Sequence, residues 1–115
     1  MVNYPHDLNL IFHALADPTR RSMLEQVYSG EKRISDLVPA FDMSLAAISK
    51  HVTVLEKAGL IFRRKQGRDS YISLNQEALM DANEWTSTYT QMWTEQLDSL
   101  EKHLVKNKKT KGKPK

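Results

Sequence analysis

With 115 residues, 40% of them apolar, the chain can close one core, and one domain followed by a tail is the expected layout. The absence of cysteine excludes a disulfide framework, a thiolate metal site and a thiol nucleophile, and no apolar run approaches the ~20 residues of a bilayer span. The net charge of +3 is unevenly spread: residues 106–115, KNKKTKGKPK, hold six lysines and no acid, residues 44–68 carry six Lys/Arg against Glu56, and residues 69–105 carry seven acids against Lys102. A cationic segment of that kind suits phosphate, and the acidic stretch is expected to face away from it. The opening MVNYPHDLNL shows neither a basic leader nor a small-residue cleavage site, so the expected location is cytoplasmic, with no membrane partner.

Leu8, Ile11, Phe12 and Leu15 recur at the spacing of one helix face, and that helix ends before Pro18. Asp17-Pro18 reads as an N-cap followed by proline at the first helical position. The second helix that starts there turns Met23, Leu24, Val27 and Tyr28 inward, leaves Arg20 and Arg21 outside, and stops at Gly30. After a charged turn at 31–33, a third helix is expected with Ser35 as its cap, Ile34, Leu37, Val38 and Phe41 inward, and Pro39 keeping it short. Ser44 opens a fourth helix whose apolar rows are Ile48, Val52 and Leu55, with Gly59 as its stop.

Beyond Gly59, LIFRRK and SYISL are two β-rich runs joined by Gln66-Gly67-Arg68-Asp69, a glycine-bearing hairpin connection. From Gln76 to about Lys106 no proline or glycine interrupts a nearly heptad seam of Leu79, Ala82, Trp85, Tyr89, Met92, Trp93, Gln96, Leu97, Leu100 and Leu104. A body of this size leaves much of such a face open, which predicts a second copy as its cover and so a homodimer; the alternative is an intramolecular core helix. The expected fold is mainly α with a small β-hairpin: a winged helix-turn-helix over residues 1–105 with a long C-terminal dimerisation helix, then a disordered lysine-rich tail over 106–115.

In that layout the fourth helix, about 20 Å long at 1.5 Å per residue, lies in the major groove of duplex DNA. If Ile48, Val52 and Leu55 face the core, then Leu45, Ala46, Ser49, Lys50 and Thr53 face outward; Ser49 and Lys50 can hydrogen-bond to base edges, and Lys50 favours guanine. Two placements stay open for Leu45, against thymine methyl groups or packed on the third helix. Ser44 can offer its hydroxyl and the free N–H groups of the helix start to a phosphate. His51 sits at the edge of the core face and is expected to donate to backbone or phosphate and to bind no metal. Arg64, Lys65 and Arg68 flank the glycine turn and suit backbone phosphates or the adjacent minor groove.

FHALADPTRRSML, ISDLV, MSLAAISKHVTVLEKAGLI and RRKQGRDSYISL together resemble the arsenical-repressor (ArsR/SmtB-type) family of bacterial winged-helix regulators, over about residues 8–104. The resemblance implies a homodimer joined through the first and last helices, which adds Leu8 and Phe12 to the interface formed by Trp85, Tyr89, Met92, Trp93, Leu97 and Leu100. It also implies an imperfect palindromic operator, DNA contacts at Ser44, Leu45, Ala46, Ser49, Lys50, His51 and Thr53, and further contacts on the wing from Arg64 to Arg68. The chain departs from the metal-sensing members: the third helix reads ISDLVPAF with no cysteine pair, and the last helix offers only His103 where paired carboxylate and histidine ligands are needed. Asp42 stands where relatives carry glycine, and aspartate tolerates the left-handed turn that position needs.

The expectation is a homodimeric, sequence-specific DNA-binding regulator that represses its own or a neighbouring operon, with no cofactor, no metal and an unknown inducer. A metal-independent small-molecule sensor, with Trp85, Tyr89, Met92 and Trp93 lining a pocket, and a winged-helix module used only for protein contact are the alternatives. An enzyme is disfavoured, since no nucleophile-base order, paired carboxylate or phosphate-cradling glycine loop appears.

Overall fold

The computed structural model describes the backbone of residues 4–110 and the side chains of residues 4–105. In chain order it contains α1 (Leu8–Leu15), α2 (Pro18–Tyr28), β1 (Lys32–Arg33), α3 (Ile34–Phe41), α4 (Leu45–Lys57), β2 (Ile61–Gln66), β3 (Asp69–Leu74) and α5 (Gln76–Thr110). The chain divides after Ala82 into two compact units.

Local chemistry explains most helix starts. Asp7 caps α1 by accepting from the N–H groups of Asn9 and Leu10 at 2.9 and 3.3 Å, Asp17 caps α2 through the N–H of Arg20 at 3.0 Å, and Pro18 takes the first turn, where its missing donor is harmless. Ser44 caps α4 by accepting from the N–H of Ala47 at 3.1 Å. Helix α3 departs from expectation. Ser35 is not its cap: the helix begins at Ile34, with Arg33 at the cap position and no side-chain cap bond. The reason is non-local. Lys32 and Arg33 are not a turn but a short strand, paired antiparallel with Ile72 and Tyr71, so the chain passes from strand to helix without a loop. The sheet therefore has three strands in the order β1-β3-β2, one more than the expected hairpin.

Pro39 lies inside α3, which ends at Phe41; Asp42 then adopts the left-handed conformation, φ 53° and ψ 48°, and the Met43 N–H donates to the Val38 carbonyl. That is the backbone geometry glycine supplies most cheaply, reached here by an aspartate.

The core of the first unit gathers Ile11, Met23, Val27, Leu37, Ile48, Val52, Leu55, Leu60 and Ile72, each all but removed from solvent. Full burial of a side chain of this kind contributes ~1.5–3 kcal/mol, so these residues fix the orientation of α4 against α1, α2 and α3. Tyr28, expected inward, is 74% exposed: it sits in the last turn of α2, past the point where Val27 completes the buried row.

Leu79 is half-buried and Ala82 buried at the start of α5. In the second unit Trp85, Tyr89, Met92, Trp93, Leu97, Leu100 and Leu104 are 39% to 62% exposed, and the Trp85 and Tyr89 rings meet at 4.7 Å between centroids. On α1, Leu8 is half-buried and Phe12 is 37% exposed. The backbone of α5 extends to Thr110, into the lysine-rich segment drawn from residue 106; residues 111–115 lie outside the described residues.

Candidate nucleic-acid interface

Helix α4 presents two unlike faces. Ile48, Val52 and Leu55 are fully buried, while Leu45, Ala46, Lys50 and Thr53 are exposed and Ser49 and His51 half-buried. Leu45 is 53% exposed, so about half of its surface is open to solvent at the start of the helix. The helix start therefore offers an apolar side chain, the N–H groups of the first turn and the Ser44 hydroxyl, whose oxygen already accepts from Ala47 and whose proton remains available to an anion. Thr53 donates its hydroxyl to the Ser49 carbonyl at 2.9 Å, leaving its methyl and oxygen lone pairs outward.

His51 is the point where α2 meets α4. Its Nδ1 lies 3.4 Å from Nη1 of Arg20 and 4.0 Å from a carboxylate oxygen of Asp17. Arg20 is half-buried, not left outside as its position in the first turn of α2 suggested. Its Nε donates to the Ala14 carbonyl at 2.8 Å and its Nη2 to the His13 carbonyl at 3.1 Å, so it supplies donors to the last turn of α1. Arg21 does stand exposed, and it donates to the Leu15 carbonyl at 2.7 Å. A signal for this role was present: paired arginines directly after a helix end have donors to offer its last carbonyls. Asp17 is held below the ordinary carboxylate range, chiefly by the Arg20 N–H it accepts, with the Arg20 guanidinium adding to the effect.

The hairpin pairs from Ile61 with Leu74 to Gln66 with Asp69, which leaves Gly67 and Arg68 as a two-residue turn. Gly67 has φ +64°, the sign that tight hairpin turns demand. The cations of the wing are not equivalent. The Arg64 guanidinium donates to both Glu31 oxygens, at 2.7 and 3.1 Å, and to Oε1 of Gln66 at 2.6 Å, and it lies 4.6 Å from the centre of the Tyr71 ring. This bond lowers the Glu31 carboxyl and raises Arg64 further. Arg63 faces Glu56 at 3.3 Å, too poorly aligned for a hydrogen bond. Lys65 and Arg68 are exposed and, among the described residues, form no ion pair.

Among the described residues no group of three His, Asp or Glu side chains gathers as a metal site requires, and no helix is long and apolar enough to cross a membrane. What the arrangement can do is bind: an exposed helix face with Lys50 and apolar tips, beside a hairpin whose end carries two cations without an ion pair among the described residues.

Comparison with known proteins agrees with this geometry. Residues 17–62, from the cap of α2 into β2, match the model of the bacterial regulatory proteins of the arsR family. The chain is 35% identical over 78 residues to the transcriptional repressor SdpR of Bacillus subtilis, spanning 68% of this chain and 87% of that one. A crystal structure of an ArsR family transcriptional regulator superposes with a TM-score of 0.75 at 38% identity, over 82% of this chain and 97% of the other. The homodimeric winged helix-turn-helix DNA-binding domain from Mycobacterium bovis, solved in solution, shares the fold with a TM-score of 0.60 at 20% identity, over 73% of this chain and 79% of that one. The chain belongs to the arsR family of bacterial regulatory proteins.

Proposed function

We propose that this chain is a homodimeric, sequence-specific transcriptional repressor that acts in the cytoplasm by placing α4 in the major groove of an imperfect palindromic operator and the β2–β3 hairpin on neighbouring phosphates. The observation that carries the reading is the exposed face of α4: Leu45, Ala46, Lys50 and Thr53 project opposite a fully buried row, and the unpaired Lys65 and Arg68 stand at the tip of the wing. The apolar members suit thymine methyls, Ser49 and Lys50 suit base edges, and Ser44, His51, Lys65 and Arg68 suit phosphates. Arg64 contributes through the wing only in competition with Glu31.

The dimer reading draws on the exposed apolar row from Trp85 to Leu100, with Leu8 and Phe12 added by family likeness, and on the homodimeric state of the Mycobacterium bovis domain. Two copies set α4 and its mate about one duplex turn, ~34–36 Å, apart or a multiple of it. Residues from 106 onward add non-specific charge, and the boundary between domain and tail at 105/106 belongs to this proposal. The test is selection of duplexes from a random pool, followed by affinity measurement over a range of salt and by sedimentation. Recovery of a two-fold symmetric sequence by a dimer supports the reading; equal affinity for all duplexes at low salt, or a monomer, overturns it.

A response to a metal-independent small molecule is a second reading, favoured by one observation. Leu15, Leu24, Leu74 and Leu79, with Arg21, Glu25 and Tyr28 at the rim, line an apolar pocket of about 280 Å³. A compound that fills it and releases the selected duplex would establish that reading.

A further inference from the structure

The contact between α2 and α4 does more than pack two helices. Arginine carries five N–H donors and no acceptor, so wherever a guanidinium meets a histidine nitrogen in a hydrogen bond, that nitrogen must be the acceptor. Nη1 of Arg20 faces Nδ1 of His51 at 3.4 Å, and the other arms of the same guanidinium are committed to the Ala14 and His13 carbonyls at 2.8 and 3.1 Å. The arginine is thus anchored at two points before it reaches the ring. Asp17, 4.0 Å from the same Nδ1, is farther off, and its carboxylate already accepts the N–H of Arg20 at 3.0 Å. The ring is one-fifth exposed, with a side-chain accessibility of 19%, and its Nε2 has no partner among the described residues.

We propose that Arg20 is a positioning residue for DNA binding: anchored on the end of α1, it holds Nδ1 of His51 as an acceptor, so that the ring proton resides on Nε2 and that N–H is the group offered to a phosphate. The inference rests on the reading of α4 as the DNA-contacting helix and adds to it a residue that does not itself touch the duplex. A helix that must meet a phosphate at a fixed distance gains from a donor whose tautomer and rotamer are set beforehand, because neither has to be ordered on binding. Asp17 completes the arrangement from the other side, capping α2 so that the first turn presents Arg20 at this height.

Nitrogen NMR of the His51 ring in the free protein reads the tautomer directly. The expected spectrum at neutral pH shows an unprotonated Nδ1 and a protonated Nε2, and Arg20→Gln shifts the ring toward a mixture of tautomers. A predominant Nδ1–H form in the unsubstituted protein, or no change on Arg20→Gln, overturns the inference whatever the DNA data show. The second arm is a double-substitution cycle on a duplex chosen from a random pool, read as affinity. His51→Ala weakens binding of the dimer roughly tenfold to a hundredfold, about threefold to tenfold for the one hydrogen bond that each copy loses. Arg20→Gln weakens it by a similar factor alone and by almost nothing in the His51→Ala background. Equal losses in both backgrounds mean that Arg20 acts only by bracing α1, which overturns the positioning role. Full affinity in His51→Ala instead overturns the contact assigned to His51. Thermal melting of all four proteins separates these effects from loss of fold, and Arg20→Lys, which retains charge with fewer and differently directed donors, is expected not to restore the tautomer.

Discussion

The side-chain amide of Asn75 donates to the carbonyl of Gly59 at 2.8 Å, tying the start of α5 to the chain just beyond α4. Its backbone N–H donates to the Leu60 carbonyl at 2.9 Å, and its Oδ1 accepts from the N–H of Glu77 at 3.2 Å. One buried polar residue thus holds the turn that follows α4 and caps the start of α5. Asn75→Ala removes both side-chain bonds at once and is expected to destabilise the fold by ~2 kcal/mol, measured by urea unfolding. A loss below ~0.5 kcal/mol would show that water replaces the amide without penalty.

Asp17 makes stability depend on acid. Its carboxyl titrates lower in the folded chain than in the unfolded one, chiefly through the Arg20 N–H. The stabilisation is therefore complete above the unfolded value of about 4 and is lost as the pH falls through the lower folded value. Asp17→Asn keeps a good cap while removing the charge, so the variant's stability should vary less with pH below about 4. Parallel acid limbs for the two proteins in pH-dependent unfolding would count against this account.

Lys50 and the pair Lys65 and Arg68 should separate base reading from phosphate binding. Lys50→Ala is expected to weaken binding to a selected duplex by ~1–3 kcal/mol with little effect on random DNA. Lys65→Ala and Arg68→Ala should weaken all duplexes alike and, with one cation lost from each copy of the dimer, each reduce the salt slope by about two. Fluorescence anisotropy with selected and scrambled duplexes checks both.

Both Glu31 oxygens accept from the Arg64 guanidinium, so in the proposed complex a phosphate would reach Arg64 only in competition with Glu31. Glu31→Gln removes one negative charge beside the wing and loosens the arginine, so affinity for every duplex should rise and the salt dependence steepen. Unchanged binding would show that Arg64 stays over Tyr71 in the complex.

The exposed row on α5 should govern association. Leu97→Lys places a charge within it, between Trp93 and Leu100, both more than half exposed in the single chain. Sedimentation should then show a monomer at concentrations where the unsubstituted protein is dimeric. An undisturbed dimer would move the interface elsewhere.

Features set by a few adjacent residues were legible in the chain: Asp17-Pro18 at the start of α2, Ser44 at the start of α4, Gly67 in the hairpin, and the period that buries Ile48, Val52 and Leu55. Features set by distant partners were not. Lys32 and Arg33 have nothing strand-like about them, and only Tyr71 and Ile72, some forty positions later, make them a strand. Helical period speaks only of faces and puts Arg20 on the surface, whereas its place is decided by two carbonyls at the end of the preceding helix. The unequal standing of Arg64, Lys65 and Arg68 was hidden likewise, since Glu31 lies outside the hairpin.

The central position of β3 carries one more consequence. It pairs on one side with β1, which runs directly into α3, and on the other with β2, so the hairpin and the first helix of the helix-turn-helix share a single ribbon. Under the proposed function such a ribbon acts as a caliper of set opening, holding the wing at one interval from the helix-turn-helix. If α4 enters a groove as proposed, that interval suits B-form DNA and not the deep, narrow major groove of double-stranded RNA, an expectation that competition between the two polymers for the protein checks.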